Sequence, residues 1–386
     1  MNVLGYRAND FYELFVSLIE YSKNKPFILF IDEYSYLKED DDSIDSYLQK
    51  AIELHKDGAS IKIILCGSYV DIMSRMIDYD APLYGRFNQI ILLRPFDYLE
   101  SGEFFADASP IDKFQYYAIF GGIAFNLTCL DKRKTFEENI IESFISPNSF
   151  FENEAVLLVQ REIKKDNRLN TIFDLITRGY KTYRELNSYL GDEKKDNCTR
   201  YLKILENMDL IDKSFSITDN KRAKPIYKIK DKMLNFYYTF LFRNQFLRNL
   251  MSPETFYNDV VRTKLFLDYL PHKFEDVVKE YCIRENGKSL PLFTGASNLT
   301  FNGKIDGKRI NREFDLVLKT DRGLIPIECK YKDTQVTMSD VYEEMNQWQG
   351  LPFTIYKFGF ASKFGFADKV KDNKDLLLIS LDDIYK

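Results

Sequence analysis

Histidine is scarce in this chain, with only His55 and His272 in 386 residues. The five cysteines, Cys66, Cys129, Cys198, Cys282 and Cys329, are scattered, odd in number and never form a CxxC pair. A structural zinc needs clustered Cys and His ligands, and a disulfide framework needs paired cysteines. Both are excluded as organising devices, and a reducing compartment is expected. No stretch reaches the roughly 18 consecutive apolar residues of a membrane span. The opening MNVLGYRANDFYELF has no basic region leading into an apolar signal core. A cytoplasmic protein without a membrane partner is therefore expected. Repeats and low-complexity linkers are also missing.

What is present suits folded domains. Hydrophobic residues make up 45% of the chain and charged residues 29%, and 32 Phe and 26 Tyr stand against one Trp. That composition excludes disorder and is enough for two or three domains with real cores. The net charge of -5 excludes binding of polyanions by bulk electrostatics. From Arg161 to Lys230, however, 17 Lys and Arg face 11 Asp and Glu, a local +6 that leaves -11 for the remainder. A basic middle in an acidic chain points to nucleic acid there.

The first third alternates helices and strands. Phe11, Leu14, Phe15, Leu18 and Ile19 have helical spacing. The apolar run Phe27–Ile31 predicts a strand buried on both faces. Lys38–Asp42 reads as a solvated loop; a helix over Asp45–His55 and a second buried strand over Ile61–Ser68, ending in Gly67-Ser68, follow. A third strand is predicted over Gln89–Leu93. Strand, helix and strand at this spacing imply a parallel sheet. Tyr98 to about Glu162 reads as helical, broken at Gly121-Gly122. From Arg168, three short helical segments and a hairpin-like stretch over Lys213–Ile229 describe a winged helix-turn-helix. Aromatic helices around Met233–Leu247 lead to a helix over His272–Arg284 and a Gly, Asn and Lys-rich loop to about Gly307. Two strands, REFDLVLK and LIPIECKY, are joined at Thr320-Asp321-Arg322-Gly323. A helix over Val341–Trp348 and two more apolar runs close the chain.

FILFIDEY has the form of a Walker B strand, with acids at the carboxyl edge where ligands of parallel α/β sheets bind. Asp32 would hold Mg²⁺ through water and Glu33 would polarise the attacking water; the plainer alternative is a buried strand ending in solvated acids. Ser68 is placed to sense a γ-phosphate, or is a strand-end turn. Arg86 is placed as an arginine finger acting across a homo-oligomer interface, or is a surface arginine.

FILFIDEYSYL, ILCGSYVDIM, APLYGRFNQIILLRPF and FGGIAFNL together resemble the archaeal-type ATPase family, in the signal-transducing (STAND) branch of AAA NTPases. The family usually carries Gly-Gly-x-Pro; Gly121-Gly122-Ile123-Ala124 lacks the proline. A phosphate-binding loop needs GxxxxGK[ST] between a strand and a helix. None precedes Asp32, and Gly287-Lys288-Ser289 lacks the first glycine and follows a helix. The chain is expected to be a naturally shortened or decayed member, or to have its true start upstream. As given it should bind ATP weakly or not at all.

The second constellation is REFDLVLKTDRGLIPIECKYK. Residues two apart on a strand share a face, so Glu328 and Lys330 point together and Cys329 points away. The turn brings Asp315 alongside. Two carboxylates suit a divalent metal, Mg²⁺ above all, and the lysine suits positioning or deprotonating the attacking water. This is the logic of a PD-(D/E)xK nuclease core, an α-β-β-β-α-β fold, with Glu275 placed to add an acid from the preceding helix. The alternative is a charged hairpin without metal. The resemblance implies the same, because these ATPases often end in a nuclease-like domain with a Glu-Cys-Lys strand. In the middle segment, Thr199, Arg200 and Lys203 form the candidate DNA-reading face, with Leu202, Leu205 and Leu210 in the core.

The whole reads as an α/β protein of five segments. These are a truncated P-loop NTPase-type parallel sheet over 1–97, a helical lid over 98–162 and a winged helix over 163–232. A helical connector over 233–270 and a restriction-endonuclease-like α/β domain over 271–386 follow. The expected function is DNA-directed, with metal-dependent cleavage at the C-terminal domain under nucleotide control. The rival reading is a non-catalytic DNA-binding or scaffolding regulator.

Overall fold

The computed structural model describes residues 2–3, 6–67, 70–147, 149–151, 168–190, 197–217, 224–305 and 307–386. They form two compact units, Met1–Leu93 with Ile204–Met208, and Arg94–Lys203 with Asp209–Lys386. The architecture is mixed α/β, and among the described residues no helix is long and apolar enough to cross a membrane.

The first unit opens with a minimal hairpin, β1 (Asn2–Val3) and β2 (Tyr6–Arg7). Helix α1 (Phe11–Asn24) starts where the Asp10 side chain accepts from the Glu13 amide, and it buries Phe15, Leu18 and Ile19. Strands β3 (Phe27–Ile31) and β4 (Ile61–Leu65) pair in parallel, Phe27 opposite Ile61 through Ile31 opposite Leu65. The crossover carries α2 (Tyr34–Asp40) and α3 (Ile44–His55), and α4 (Val70–Arg75) follows β4. Ile31, Ile63 and Leu65 pack on a core of Phe15, Ile19, Tyr34, Ile44 and Leu48.

Three features of this unit depart from the sequence-based expectation. The strands are covered on one face only: Ile28, Phe30 and Ile64 are 62%, 57% and 46% exposed. Helices α1 and α3 supply one layer, and burial alternates strictly along each strand. Gln89–Leu93 forms no strand; it is irregular, with Leu93 86% exposed. A run of β-formers becomes a strand only beside a partner edge, and none meets this one among the described residues. Lys38 lies within a helix rather than a solvated loop, and its ammonium pairs with buried Asp45, which also accepts from the Tyr34 hydroxyl at 2.9 Å.

The second unit begins with α5 (Tyr98–Glu103), closed by a capping box of Asp97 and Glu100. Helix α6 (Pro110–Phe120) has Ser109 as its cap, proline in its first turn and a buried run from Phe114 to Phe120. It stops at Gly121, whose φ of 70° favours glycine. Gly122 is held tighter still, because a Cβ there would lie 1.8 Å from the Phe96 carbonyl oxygen. The predicted Gly-Gly break is thus a backbone crossing. Helices α7 (Ala124–Thr128) and α8 (Phe136–Ile140, continuing in wider turns through Ile145) follow. The helical expectation beyond Phe151 lies outside the described residues.

Helices α9 (Arg168–Thr177), α10 (Tyr183–Leu190) and α11 (Asn197–Asn207) precede an antiparallel hairpin, β5 (Ile211–Ser214) and β6 (Ile226–Ile229), with Thr182 bridging to Ile226. Next come α12 (Lys232–Phe236, continuing through Leu241), α13 (Gln245–Leu250) and α14 (Pro253–Phe256, continuing through Arg262). The abundant aromatics are concentrated here: Phe144 packs on Phe120, Phe151 and Phe236 with ring centres 4.6–5.6 Å apart.

Helix α15 (Leu270–Arg284) leads into β7 (Gly295–Ile305), β8 (Lys308–Thr320) and β9 (Gly323–Lys330). Helix α16 (Met338–Gln347), β10 (Phe358–Ser362), α17 (Asp368–Lys371), β11 (Leu376–Ser380) and α18 (Leu381–Ile384) complete the chain. The five strands lie in the order β11-β10-β9-β8-β7, antiparallel from β7 to β9 and parallel from β9 to β11. The second half of the Gly, Asn and Lys-rich stretch expected as a loop is thus strand β7. Its polar composition hides an alternation in which Leu299 and Phe301 join a cluster with Phe314 and Trp348. Trp348 is 5% exposed, its ring centre 3.9 Å from that of Phe314.

Edge strand β7 is covered by the residues just after β5. The Ile217 amide donates to the Asn298 carbonyl at 2.9 Å, and the Thr300 amide donates to the Ser216 hydroxyl at 3.0 Å. The Ile217 side chain joins the Leu299–Trp348 cluster. An edge strand left bare is prone to pairing with other chains, and this contact removes the hazard.

Candidate active site

Helix α15 buries Phe274, Val277, Val278 and Cys282 at helical spacing, which fixes its rotation against the sheet. Glu275 follows Phe274 and is half-buried at the sheet surface. On the sheet, the β8–β9 register sets Leu316 opposite Ile327, so Asp315 stands beside Glu328 on the same face. Asp315 accepts from the Cys329 amide at 3.0 Å, which ties its carboxylate to β9. Glu328 and Lys330 share that face, and the Lys330 ammonium donates to Glu328 at 2.6 Å.

A fourth carboxyl completes the cluster. Glu344 on α16 is 5% exposed and hydrogen-bonds with Glu328. Sequence reasoning missed it, although a signal was available: Val341, Glu344 and Trp348 lie on one helical stripe, and the acid interrupts an otherwise apolar face.

Crowding of acids in a poorly solvated place shifts their titration. Burial first, then the Asp315 charge, push Glu275 up to about 8. Burial and then Glu328 push Asp315 up to about 6, against the opposing Cys329 amide. Burial and then Glu328 push Glu344 up to about 7. Burial alone would lower Lys330, but the Glu328 partner outweighs it and holds the ammonium above its ordinary value. Cys329, pushed well up by burial, stays a neutral thiol.

A void of about 20 Å³ lies between α15 and the sheet, lined by Glu275, Asp276, Asp315, Ser297 and Asn298. That is room for one water or one small ion. Among the described residues, no three His, Cys, Asp or Glu side chains stand as a ready metal-ligand set. Glu328 is engaged by Lys330 and Glu344, and Asp315 by the Cys329 amide.

The residues singled out in the first unit are only partly together. Asp32 directly follows β3 and accepts from the Glu33 amide at 3.0 Å, and Glu33 has φ 50°, a strained left-handed turn into α2. The neighbouring Cys66 amide donates to the Ile31 carbonyl at 2.9 Å. Burial and then Asp32 push the Cys66 thiol up. Arg86 is engaged within its own chain, by Glu53 of α3 and by the Tyr84 carbonyl at 2.8 Å. Ser68 lies outside the described residues. In α11, Thr199, Arg200 and Lys203 are exposed, while Leu202 and Leu205, and Leu210 just beyond the helix, are buried. Tyr201 and Thr199 tie the helix to Arg168 and Tyr183, each at 3.3–3.4 Å.

No protein-family model matches the chain. It is 26% identical over 382 residues to the uncharacterized protein MJECL04 of Methanocaldococcus jannaschii, a match spanning 95% of this chain and 83% of that protein. Among solved structures it is similar to the Walker-type ATPase PABY2304 of Pyrococcus abyssi, with 21% identity, 62% of this chain and 71% of that one covered, and a TM-score of 0.44. A likeness to protein VC1899 of Vibrio cholerae covers 98% of this chain and 93% of that one at 11% identity and a TM-score of 0.25.

Proposed function

We propose that the chain is a metal-dependent DNA nuclease whose chemistry resides in the second unit, attached to an ATPase-type α/β core. The observation that carries this reading is the meeting of Glu275, Asp315, Glu328, Glu344 and Lys330 around one face of the β8–β9 hairpin. Four carboxyls meet one lysine there, and burial first, then the charges of neighbouring acids, raise three of them. The element order around the hairpin, α15-β7-β8-β9-α16-β10, is the one expected of a PD-(D/E)xK core.

A divalent cation would draw these carboxylates together, since among the described residues they do not stand as a ready ligand set. The void beside Glu275 and Asp315 has the size of one ion, and the donors are hard oxygens suited to Mg²⁺. Asp315, Glu328 and Glu275 would hold it, and when bound it would supply Lewis-acid polarisation of a phosphodiester. The residues themselves do the rest. Lys330, kept charged by Glu328, orients and stabilises an anionic oxygen rather than serving as a base. Glu344, with a carboxyl near neutrality at about 7, is suited to take up and return a proton at physiological pH. The Cys329 amide fixes Asp315 so that the acid is aimed before substrate arrives.

The helices α9–α11 and the β5–β6 hairpin are read as a winged helix, with Thr199, Arg200 and Lys203 contacting DNA. Asp32, Glu33, Ser68 and Arg86 are read as the remaining ATPase positions, Arg86 across a homo-oligomer contact. The sequence given contains no GxxxxGK[ST].

The test is cleavage of single- and double-stranded DNA with Mg²⁺ or Mn²⁺, comparing the full chain with Asp315→Ala and Lys330→Ala. Cleavage lost in both variants supports the reading. Absence of cleavage together with absence of metal binding sinks it in favour of a non-catalytic regulator.

A further inference from the structure

The β5–β6 hairpin does more than cover a sheet edge. Ser214 of β5 and Lys228 of β6 line the same void as Glu275 and Asp315, so one wall of the acid site comes from the module that precedes it. The hairpin is fixed there by the Ile217 and Ser216 contacts to β7, and by the Ser214 hydroxyl, 3.4 Å from that of Ser297.

Four lysines gather around Asp276 at this wall. Asp276 is shared by Lys273 at 3.6 Å and Lys228 at 3.8 Å, and Lys232 is taken by Glu280 at 3.2 Å. Lys279, one turn along α15 from Glu275, is half-buried and lines the void. Among the described residues it makes no hydrogen bond and no ion pair. Burial and then repulsion from Lys228 push it down. The acids whose charges reach Lys279 are Asp276 and Asp212, and neither is within ion-pair distance of it. A half-buried ammonium without a partner is costly, and an anion seated between Lys228 and Lys279 would relieve that cost.

We infer that Lys228 of the hairpin and Lys279 of α15 are the phosphate seat of the acid site, gripping the backbone of a nucleic-acid strand as it passes between hairpin and helix. This rests on the nuclease reading for its substrate class, but it concerns binding and not cleavage. Phosphate contacts of this kind position a strand without reading its sequence. The hairpin is then part of the substrate site, and the order of modules along the chain serves to place one of its lysines opposite the acids.

The experiment is anisotropy of labelled single-stranded and duplex DNA titrated with salt, in EDTA so that no cleavage intervenes. The full chain is compared with Lys228→Gln, Lys279→Gln and the double variant. Each substitution should weaken binding and make the slope of log affinity on log salt shallower by about 0.7–0.9. Lys228→Arg with Lys279→Arg should restore it, and Lys371→Gln, on the short helix before the strand at the opposite sheet edge, should change it less. Retained melting behaviour separates loss of contact from loss of fold. An unchanged slope in the folded double variant, or no DNA binding by the full chain, overturns the seat. Salt-dependent binding lost in the variants, with no cleavage in Mg²⁺ or Mn²⁺, keeps the seat and removes the nuclease reading. Cleavage with an unchanged slope does the reverse.

Discussion

Replacing Glu275 by glutamine is expected to stabilise the second unit in alkali and leave it nearly unchanged in acid. In the folded chain this carboxyl keeps its proton up to about 8, whereas an unfolded glutamate releases it near 4.5. Between those values the folded state binds the extra proton, so stability falls as pH rises through the window. Each pH unit of separation is worth about 1.4 kcal/mol, which sets a ceiling of roughly 5 kcal/mol on the cost once the group is ionised. Partial solvation and the sharing of protons with Asp315 lower the figure to about 2–3 kcal/mol. Glutamine has nearly the same shape and no charge. Urea unfolding of both proteins at pH 5 and pH 8.5 is the assay. The two should differ by less than about 1 kcal/mol at pH 5, and the variant should be more stable by about 2–3 kcal/mol at pH 8.5. Mg²⁺ should close part of that gap by stabilising the parent alone. Parallel stability profiles over the whole range would refute the claim that this carboxyl is buried against its neighbours.

Two further outcomes follow from the same geometry. Glu344→Gln should abolish the inflection near pH 7 in the cleavage rate, because the group pushed up to about 7 no longer titrates; an inflection that survives excludes Glu344 as its source. Gly122→Ala should destabilise the second unit by about 1–3 kcal/mol in a denaturant melt, since the added methyl meets the Phe96 carbonyl. A neutral result there would mean the backbone crossing is looser than 1.8 Å implies.

The acid site was largely legible because a tight turn and a two-residue period leave little freedom. Asp315, Glu328 and Lys330 had to meet once β8 and β9 paired through Asp321-Arg322. Glu275 was legible as an acid on the preceding helix. Glu344 does not stand out by spacing alone, because its helix reads as an ordinary amphipathic one. The hairpin contribution was invisible for a different reason: Lys228 and Glu275 are 47 residues apart, and no local pattern encodes a contact between modules. In the first unit the strands β3 and β4 were legible, but their burial was not. Apolar runs report the propensity to be covered, not whether a second layer is at hand, and Ile28, Phe30 and Ile90–Leu93 show the difference.

The single tryptophan gives the molecule a built-in optical label. Trp348 directly follows α16, the helix that carries Glu344, and its ring lies against Phe314, the residue before Asp315 on β8. Its indole Nε1 is buried and has no hydrogen-bond partner among the described residues, so its emission is expected at short wavelength. Excitation beyond the tyrosine band therefore reads the packing of α16 on β8 without an added dye. The first unit holds no tryptophan and is silent in this channel. Unfolding followed by this emission tracks the second unit alone, while helical circular dichroism follows both, and any gap between the two curves measures how independently the units melt.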